Sequence, residues 1–334
     1  MGNVTDDPMR DDSGRAESPA ALGGGVGTIP IVDAHVHVWD PSHLRYPWLS
    51  QIPLLARPFL RSEYAAATTG IAIERTMFVE ANCLPEQTLD EVELFGRIAG
   101  STPEAPGIVA FASLDEPNSL YRALDQLSAN PLVKGIRHNI QGEPRGFCLQ
   151  PSFVAGVREV GRRGWTFDIC ATHDQLEDVL ELVRACPNTR FVLDHCGKPA
   201  IRDRLLDPWR ANISAIAEVE TVACKLSGLV TEARREWRAD DLVPYADHVA
   251  EAFGVARLIY GSDWPVLTLA ATYQDWFAFT EQFTSAWSAD DRGAFYGANA
   301  LRVYWGQSRI SSFQPTDDQA SAAALKHPDR AMKR

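Results

Sequence analysis

The sequence predicts a single (β/α)8 barrel of the α/β class, a TIM barrel, on three observations. Short runs of β-branched and apolar residues recur eight times between residues 31 and 263. Segments with helical spacing of Leu, Val and Ala separate most of them, and every run ends in polar residues. Repeated strand-helix alternation implies a parallel sheet, and about 250 residues is the usual length for closing one into a barrel. The polar ends matter because the carboxyl ends of all eight strands would meet at one mouth, where such folds display their chemistry.

The first run, IVDAHVHV (31–38), places two histidines in an apolar setting. Strand alternation puts Ile31, Asp33, His35 and His37 on one face and Val32, Ala34, Val36 and Val38 on the other. The apolar face is expected to meet helices, and the polar face to point into the barrel. Two imidazoles there without partners would each cost a few kcal/mol, so they need a ligand, a metal or a network. RTMFVEA (75–81) leads to Glu80 and Asn82, GIVAFAS (107–113) to LDE, and VKGIRHN (133–139) carries Arg137 and His138. WTFDICA (165–171) precedes His173, whose parity matches Phe167, Ile169 and Ala171. That histidine suits a ligand, a substrate contact or a surface position equally. QLEDVLELVRAC (175–186) has helical period. RFVLDH (190–195) closes on His195, in parity with Phe191 and Leu193, before a Gly/Pro turn. WRANISAIAEVE (209–220) is again helical, and TVACKLS (221–227) places Lys225 and Ser227 on one face. RLIYGSD (257–263) closes on Asp263, with small Gly261 beneath it leaving room for a pocket. Ser-Asp before Trp-Pro also suits a helix N-cap, but three inward histidines at the same mouth favour a site.

The remaining composition narrows the function classes. The chain has 334 residues, 45% hydrophobic and 23% charged, which is globular composition. A net charge of −12 disfavours nucleic acid and anionic membranes as partners and leaves a small molecule. No apolar run reaches the roughly 18 residues of a membrane span, and the acidic N-terminus does not read as a secretory signal. The six cysteines are scattered singly, as in a reducing compartment, so a cytoplasmic enzyme is expected. Residues 1–28, rich in Asp, Ser, Gly and Ala, and residues 308–334 read as disordered tails around one domain at 29–307, although AAALKH near the C-terminus could form a helical turn. A doubly wound nucleotide-binding sheet would want a glycine-rich turn after the first strand, where HVWDPSH stands. A homo-oligomer is left open.

The combination of DAHVHVWD, Tyr46-Pro47-Trp48-Leu49, VKGIRHNIQ, LDHCGKP, CKLSGL and YGSDWPV resembles the amidohydrolase superfamily, in its branch of TIM-barrel lactonases, from about Ile31 to Trp305. The resemblance implies hydrolysis of a sugar-acid or related carboxylated lactone. Asp263 would take a proton from water, with burial pushing its pKa toward neutrality, and His35, His37 and His195 would surround the ring carbonyl. At most one divalent ion, of zinc or manganese class, would be held by His35, His37, His195 and Asp263. Metal-dependent members of the superfamily usually add a Lys or Glu after strand 4, where Arg137 keeps its proton and makes a poor ligand. Substrate contacts fall to Arg137, His138, Glu80, Asn82, Lys225, Ser227 and His173, with Trp39 and Trp264 stacking on a ring. The alternative is a metal-dependent decarboxylase or amide hydrolase on the same scaffold.

Overall fold

The computed structural model describes residues 29–99 and 106–307. The tails expected at 1–28 and 308–334, with the AAALKH turn, lie outside the described residues. Eight parallel strands run in chain order: β1 (Ile31–Val36), β2 (Ile73–Val79), β3 (Gly107–Phe111), β4 (Val133–Arg137), β5 (Thr166–Ile169), β6 (Arg190–Leu193), β7 (Val222–Leu226) and β8 (Leu258–Tyr260). Each falls within three residues, at either end, of a run read from the sequence. Around them lie α1 (Arg61–Ala67), α2 (Thr88–Ala99), α3 (Pro117–Ser128), α4 (Pro151–Arg162), α5 (Leu176–Ala185), α6 (Trp209–Ala217), α7 (Leu229–Glu232), α8 (Ala239–Phe253), α9 (Tyr273–Phe283), α10 (Ala289–Gly293) and α11 (Asn299–Trp305). Helix α5 shows why they pack: Leu176, Val179, Leu182 and Val183 recur at helical spacing and are all fully buried.

Consecutive strands pair parallel from β1 to β8. The remaining seam, β8 to β1, is closed at the mouth end, where the His37 N–H donates to the Trp264 carbonyl at 2.7 Å and the Asp263 N–H to the His35 carbonyl at 2.8 Å. Below them the Ser262 N–H donates to Asp33 Oδ1 at 2.8 Å. This closure excludes the open doubly wound sheet.

The core has two layers. Phe153, Phe167, Phe191, Leu193 and Leu226 belong to the shell between sheet and helices. A second cluster joins Val32 and Ala34 of β1 with Met77, Val79, Val109, Val192, Ala223 and Ile259 of five other strands, and with Ala300, Leu301 and Tyr304 of α11. Side chains from six strands meet only inside a barrel, so α11 caps its floor. The expected orientation of β1 is therefore corrected. Val32 and Ala34 face inward, while Asp33 turns outward and accepts from the phenols of Tyr64 on α1 and Tyr273 on α9, each at 2.9 Å. The cause is a bulge: between Asp33 and Val36, β1 advances three residues while its partner advances two. Ala34 and His35 consequently both point inward.

None of the six cysteines is paired with another. Among the described residues no helix is long and apolar enough to cross a membrane.

Candidate active site

The bulge aims His35 at the axis, and His37, two residues on, follows it. His195 arrives by a different route. Phe191 and Leu193, its expected face-mates, pack in the outer shell, and the chain enters the left-handed region at His195 (φ 54°) and Cys196 (φ 53°), swinging the imidazole back over the mouth. Asp263 also has positive φ (63°), just past β8. It caps no helix, the next helical turn starting from Pro265. Room for the cluster is made by glycine: a Cβ on Gly261 would stand 2.9 Å from His35 Cβ, and one on Gly228 2.6 Å from His195 Nδ1.

Four side chains converge. His35 Nε2 lies 3.1 Å from His37 Nε2 and 3.7 Å from Asp263 Oδ1. His37 Nε2 and His195 Nε2 stand 3.4 and 3.8 Å from the same oxygen. Each far nitrogen is held: His37 Nδ1 faces the Val79 carbonyl at 2.9 Å, His195 Nδ1 the Ser227 hydroxyl at 2.9 Å, and His35 Nδ1 the Lys225 ammonium at 3.2 Å. Burial is the largest influence on both His35 and His195; it lowers His35 well below its usual range and His195 to about 4, with Asp194 opposing in each case. His35 and His195 are therefore neutral at pH 7. Burial alone would raise Asp263, but His195, His37 and His35 outweigh it and hold the carboxyl below the usual range. The expected drift toward neutrality is reversed, and Asp263 is a carboxylate at any physiological pH.

Beneath this layer lies a buried charged network. Lys225, fully enclosed, donates to Asp168 Oδ2 at 2.7 Å and stands 2.9 Å from Asp194 Oδ1. Burial would lower its pKa, but Asp168 and Asp194 raise it, so it is an ammonium. Tyr304 donates to Asp168 from the floor at 2.5 Å. Arg137 donates to the Glu80 carboxylate at 2.5 Å, to the Glu80 carbonyl at 2.7 Å and to Asp194 Oδ2 at 3.3 Å.

A cavity of about 160 Å³ opens above the cluster, lined by His37, His195, Asp263, Arg137, Asn82 and Lys198, with Trp39, Trp48, Asn139, Gln141 and Cys170 among its walls. Larger hollows of about 330 and 420 Å³ lie among the outer elements, away from the imidazoles, and chemistry rather than size identifies the site.

Several expected substrate contacts are relocated. His138 shares the outward parity of Ile136 and is packed among Phe111, Phe147 and Phe153. Trp264 is 2% exposed and packs on Phe59 and Tyr64 in the outer shell. Glu80 is sealed behind Arg137, Lys225 lies under the cluster, and Ser227 is taken up by His195, so none of the three lines the cavity. His173 stands at the rim, on the short turn His173–Gln175, and does not line it either. Arg137 and Asn82 do. Sequence reasoning missed Asp168 and Asp194, although strand alternation carries an inward signal for both: Asp168 shares parity with Thr166, and Asp194 with Val192. It also missed Lys198, whose placement depends on a left-handed residue (φ 46°) that no periodicity reveals.

The donor set suits a cation. His35, His37 and Asp263 offer ligand atoms all within 4.8 Å of one another, and His195 belongs to a second grouping with His35 and Asp194. Corners of a tetrahedron with metal bonds of about 2.1 Å are about 3.4 Å apart, and the trio's edges are 3.1, 3.4 and 3.7 Å. Three protein ligands with one open side is the form of a catalytic seat.

Comparison with known proteins agrees with this architecture. An L-fucono-1,5-lactonase of Burkholderia multivorans is 33% identical over 287 residues, covering 82% of this chain and 95% of its own. A second L-fucono-1,5-lactonase, from Burkholderia ambifaria, is 29% identical over 86% of this chain and 98% of its own. A crystal structure of an amidohydrolase from Burkholderia multivorans with bound zinc superposes with a TM-score of 0.74 at 32% identity, covering 83% of this chain and 99% of that one. The amidohydrolase family model matches residues 32–305, nearly the whole barrel, and the chain belongs to that family.

Proposed function

We propose that the protein is a lactonase that opens a small hydroxylated lactone by aspartate-assisted attack of water. The observation that carries the reading is the convergence of one ionised carboxylate with three imidazoles at the floor of a small mouth. The lactonase names of the relatives support the bond cleaved.

In this reading Asp263, with Oδ1 facing the imidazoles, uses its second oxygen to take a proton from water. The hydroxide adds to the ring carbonyl, and the C=O electron pair moves onto oxygen. Lys198, and His195 where it carries its proton on Nε2, donate hydrogen bonds to that oxyanion. Collapse breaks the ring C–O bond, and the departing alkoxide receives the proton stored on Asp263, leaving a hydroxy acid. A divalent ion of zinc or manganese class, held by His35, His37 and Asp263 with His195 at its open side, would polarise the carbonyl. The chain's own residues orient the ring. Arg137 is neutralised by Glu80 and Asp194, and Lys198 lies 3.8 Å from Glu232, so the mouth offers amides (Asn82, Asn139, Gln141) and indoles (Trp39, Trp48) more freely than unpaired cations. That lining favours neutral, hydroxyl-bearing lactones over dicarboxylates. A cytoplasmic setting accords with six unpaired thiols.

The test is a pH-indicator screen of aldonolactones and muconolactone-like dicarboxylates, with and without chelator, on the wild type and Asp263→Asn. Aldonolactone hydrolysis that the substitution abolishes is expected. A well-folded wild type that opens no lactone would sink the proposal.

A further inference from the structure

Lys198 stands where a side chain is costly to place. Its backbone is left-handed (φ 46°), a conformation that favours glycine, and a residue kept there against that preference points to a need for its side chain. Its own N–H donates to the His195 carbonyl at 2.8 Å, which fixes the root of the stem. The stem itself is long and flexible, so the root does not fix the ammonium. What faces the tip is the Glu232 carboxylate. Glu232 ends α7, which is rooted by the buried Leu229 and Val230 and by the Thr231 hydroxyl donating to the Gly228 carbonyl at 2.8 Å. Lys198 Nζ lies 3.8 Å from Glu232 Oε1, with the two side chains 19% and 28% exposed, and among the described residues each is the other's one ion-pair partner. At that distance the charges attract without a hydrogen bond between them. A second anion is within electrostatic reach. Burial would lower the Lys198 ammonium, and Glu232 and Asp263 are among the groups that raise it instead. Lys198 and Asp263 line one cavity, yet the ion-pair partners of Asp263 among the described residues are the three imidazoles. The ammonium therefore hangs between a carboxylate on the rim and one on the floor. Pairing with the floor would set it against the oxygen that takes a proton from water, and a salt-bridged carboxylate is a poorer base.

We propose that Glu232 is a positioning residue: its charge holds Lys198 over the mouth and off Asp263, so that Asp263 stays a base and Lys198 stays poised to donate to the oxyanion. The kinetic consequence rests on the lactonase reading. Where the ammonium sits rests on the geometry alone.

The test pairs crystal structures with a double-mutant cycle, both on the full-length chain. In Glu232→Gln the Lys198 ammonium is expected to swing onto Asp263, at a hydrogen-bond distance of about 2.7–3.2 Å. An ammonium that stays beside residue 232 would overturn the proposal, whether or not any lactone is opened. The cycle is run at equal bound metal on the aldonolactone that the wild type opens fastest. Lys198→Met should cost about 10²-fold in kcat, as loss of an oxyanion donor does. Glu232→Gln should cost about 10-fold in kcat with KM changed less than about 2-fold, the mark of a misplaced group and not of weaker binding. In the Lys198→Met background the same substitution should change kcat less than about 2-fold, because its effect passes through the missing ammonium. Glu232→Asp, which keeps the charge, should recover most of the loss. A merely structural role would cost as much in both backgrounds, and that additive result, or a loss confined to KM, would overturn the proposal. Should Glu232→Gln fail to fold, Glu232→Ala takes its place in both arms. A wild type that opens no lactone sinks the lactonase reading, and the position of the ammonium still decides this one.

Discussion

At the scale of single residues, Asp263 should be the most costly side chain to alter chemically. Asp263→Asn keeps the volume but removes the base, and a drop in kcat of about 10²- to 10⁴-fold is expected, the range general-base catalysis commands. Gly261→Ala acts through packing instead. The new methyl would meet His35 Cβ at 2.9 Å and Ser227 Cβ at 3.3 Å on a strand that cannot retreat. We expect about 1–3 kcal/mol of destabilisation in urea titration, the usual cost of overpacking, with a fall in kcat because His35 moves. An unchanged kcat would show that the position of His35 is not critical. Residue identity made this site legible: His35, His37, His195 and Asp263 were all picked from sequence, because polar residues ending apolar runs have few other reasons to be there. His138, Glu80 and Trp264 were not separable from them, since the same signal marks any polar or indole side chain near a strand end.

Among elements, the eighth seam of the barrel is the vulnerable one, because the site straddles it. His35 and His37 lie on one side and Asp263 on the other, and Asp33 stitches the two. Its Oδ1 accepts from the backbone of Ser262 and of His35, and its Oδ2 from Tyr64 and Tyr273. Asp33→Asn would place an amide N–H₂ against one of those donor pairs. A loss of about 1.5–3 kcal/mol is expected, the value of hydrogen bonds to a charged group. Because the seam aligns base and imidazoles, kcat should fall roughly 10-fold without a matching rise in KM; a pure KM effect would contradict that role. The sequence could not show this. Strand positions were legible because apolar runs of the right length recur, and the helices α5 and α6 because their period is clean. Face assignment failed at the bulge after Asp33, and at the left-handed His195, whose expected face-mates Phe191 and Leu193 pack in the outer shell. Alternation of period two carries no information about an inserted residue, and a one-residue slip sends every later side chain to the opposite face.

For the molecule as a whole, buried titratable groups of opposite tendency should set a stability optimum near neutrality. His195 titrates at about 4 in the fold against 6.5 unfolded, so between those values the unfolded chain binds more protons. Its contribution is fully present above pH 6.5 and is lost as pH falls toward 4, by about 3 kcal/mol if the shift is fully expressed. His35 acts in the same direction, and the depressed Asp263 and Asp194 extend the loss below the ordinary carboxylate range. Glu91 on α2 works oppositely. Burial first, and then the neighbouring Glu80 charge, raise it to about 8 from 4.5, so its contribution is present below 4.5 and is lost as pH rises through 8. Its carboxyl also accepts from the Ala81 N–H at 3.1 Å, a bond a glutamine can keep. In chelator-treated protein, urea midpoints are expected to be highest near pH 6.5, where the histidine gain is complete, and to fall between 6.5 and 8 as Glu91 gives up its proton. Glu91→Gln should remove that fall, by an amount on the order of a few kcal/mol at pH 9, and steepen the acid arm between 4.5 and 6.5, where Glu91 opposes the histidines. A wild type with no acid arm would mean that the imidazoles are not held neutral in the fold, whereas a flat alkaline arm in the wild type would mean that Glu91 is ionised at neutral pH.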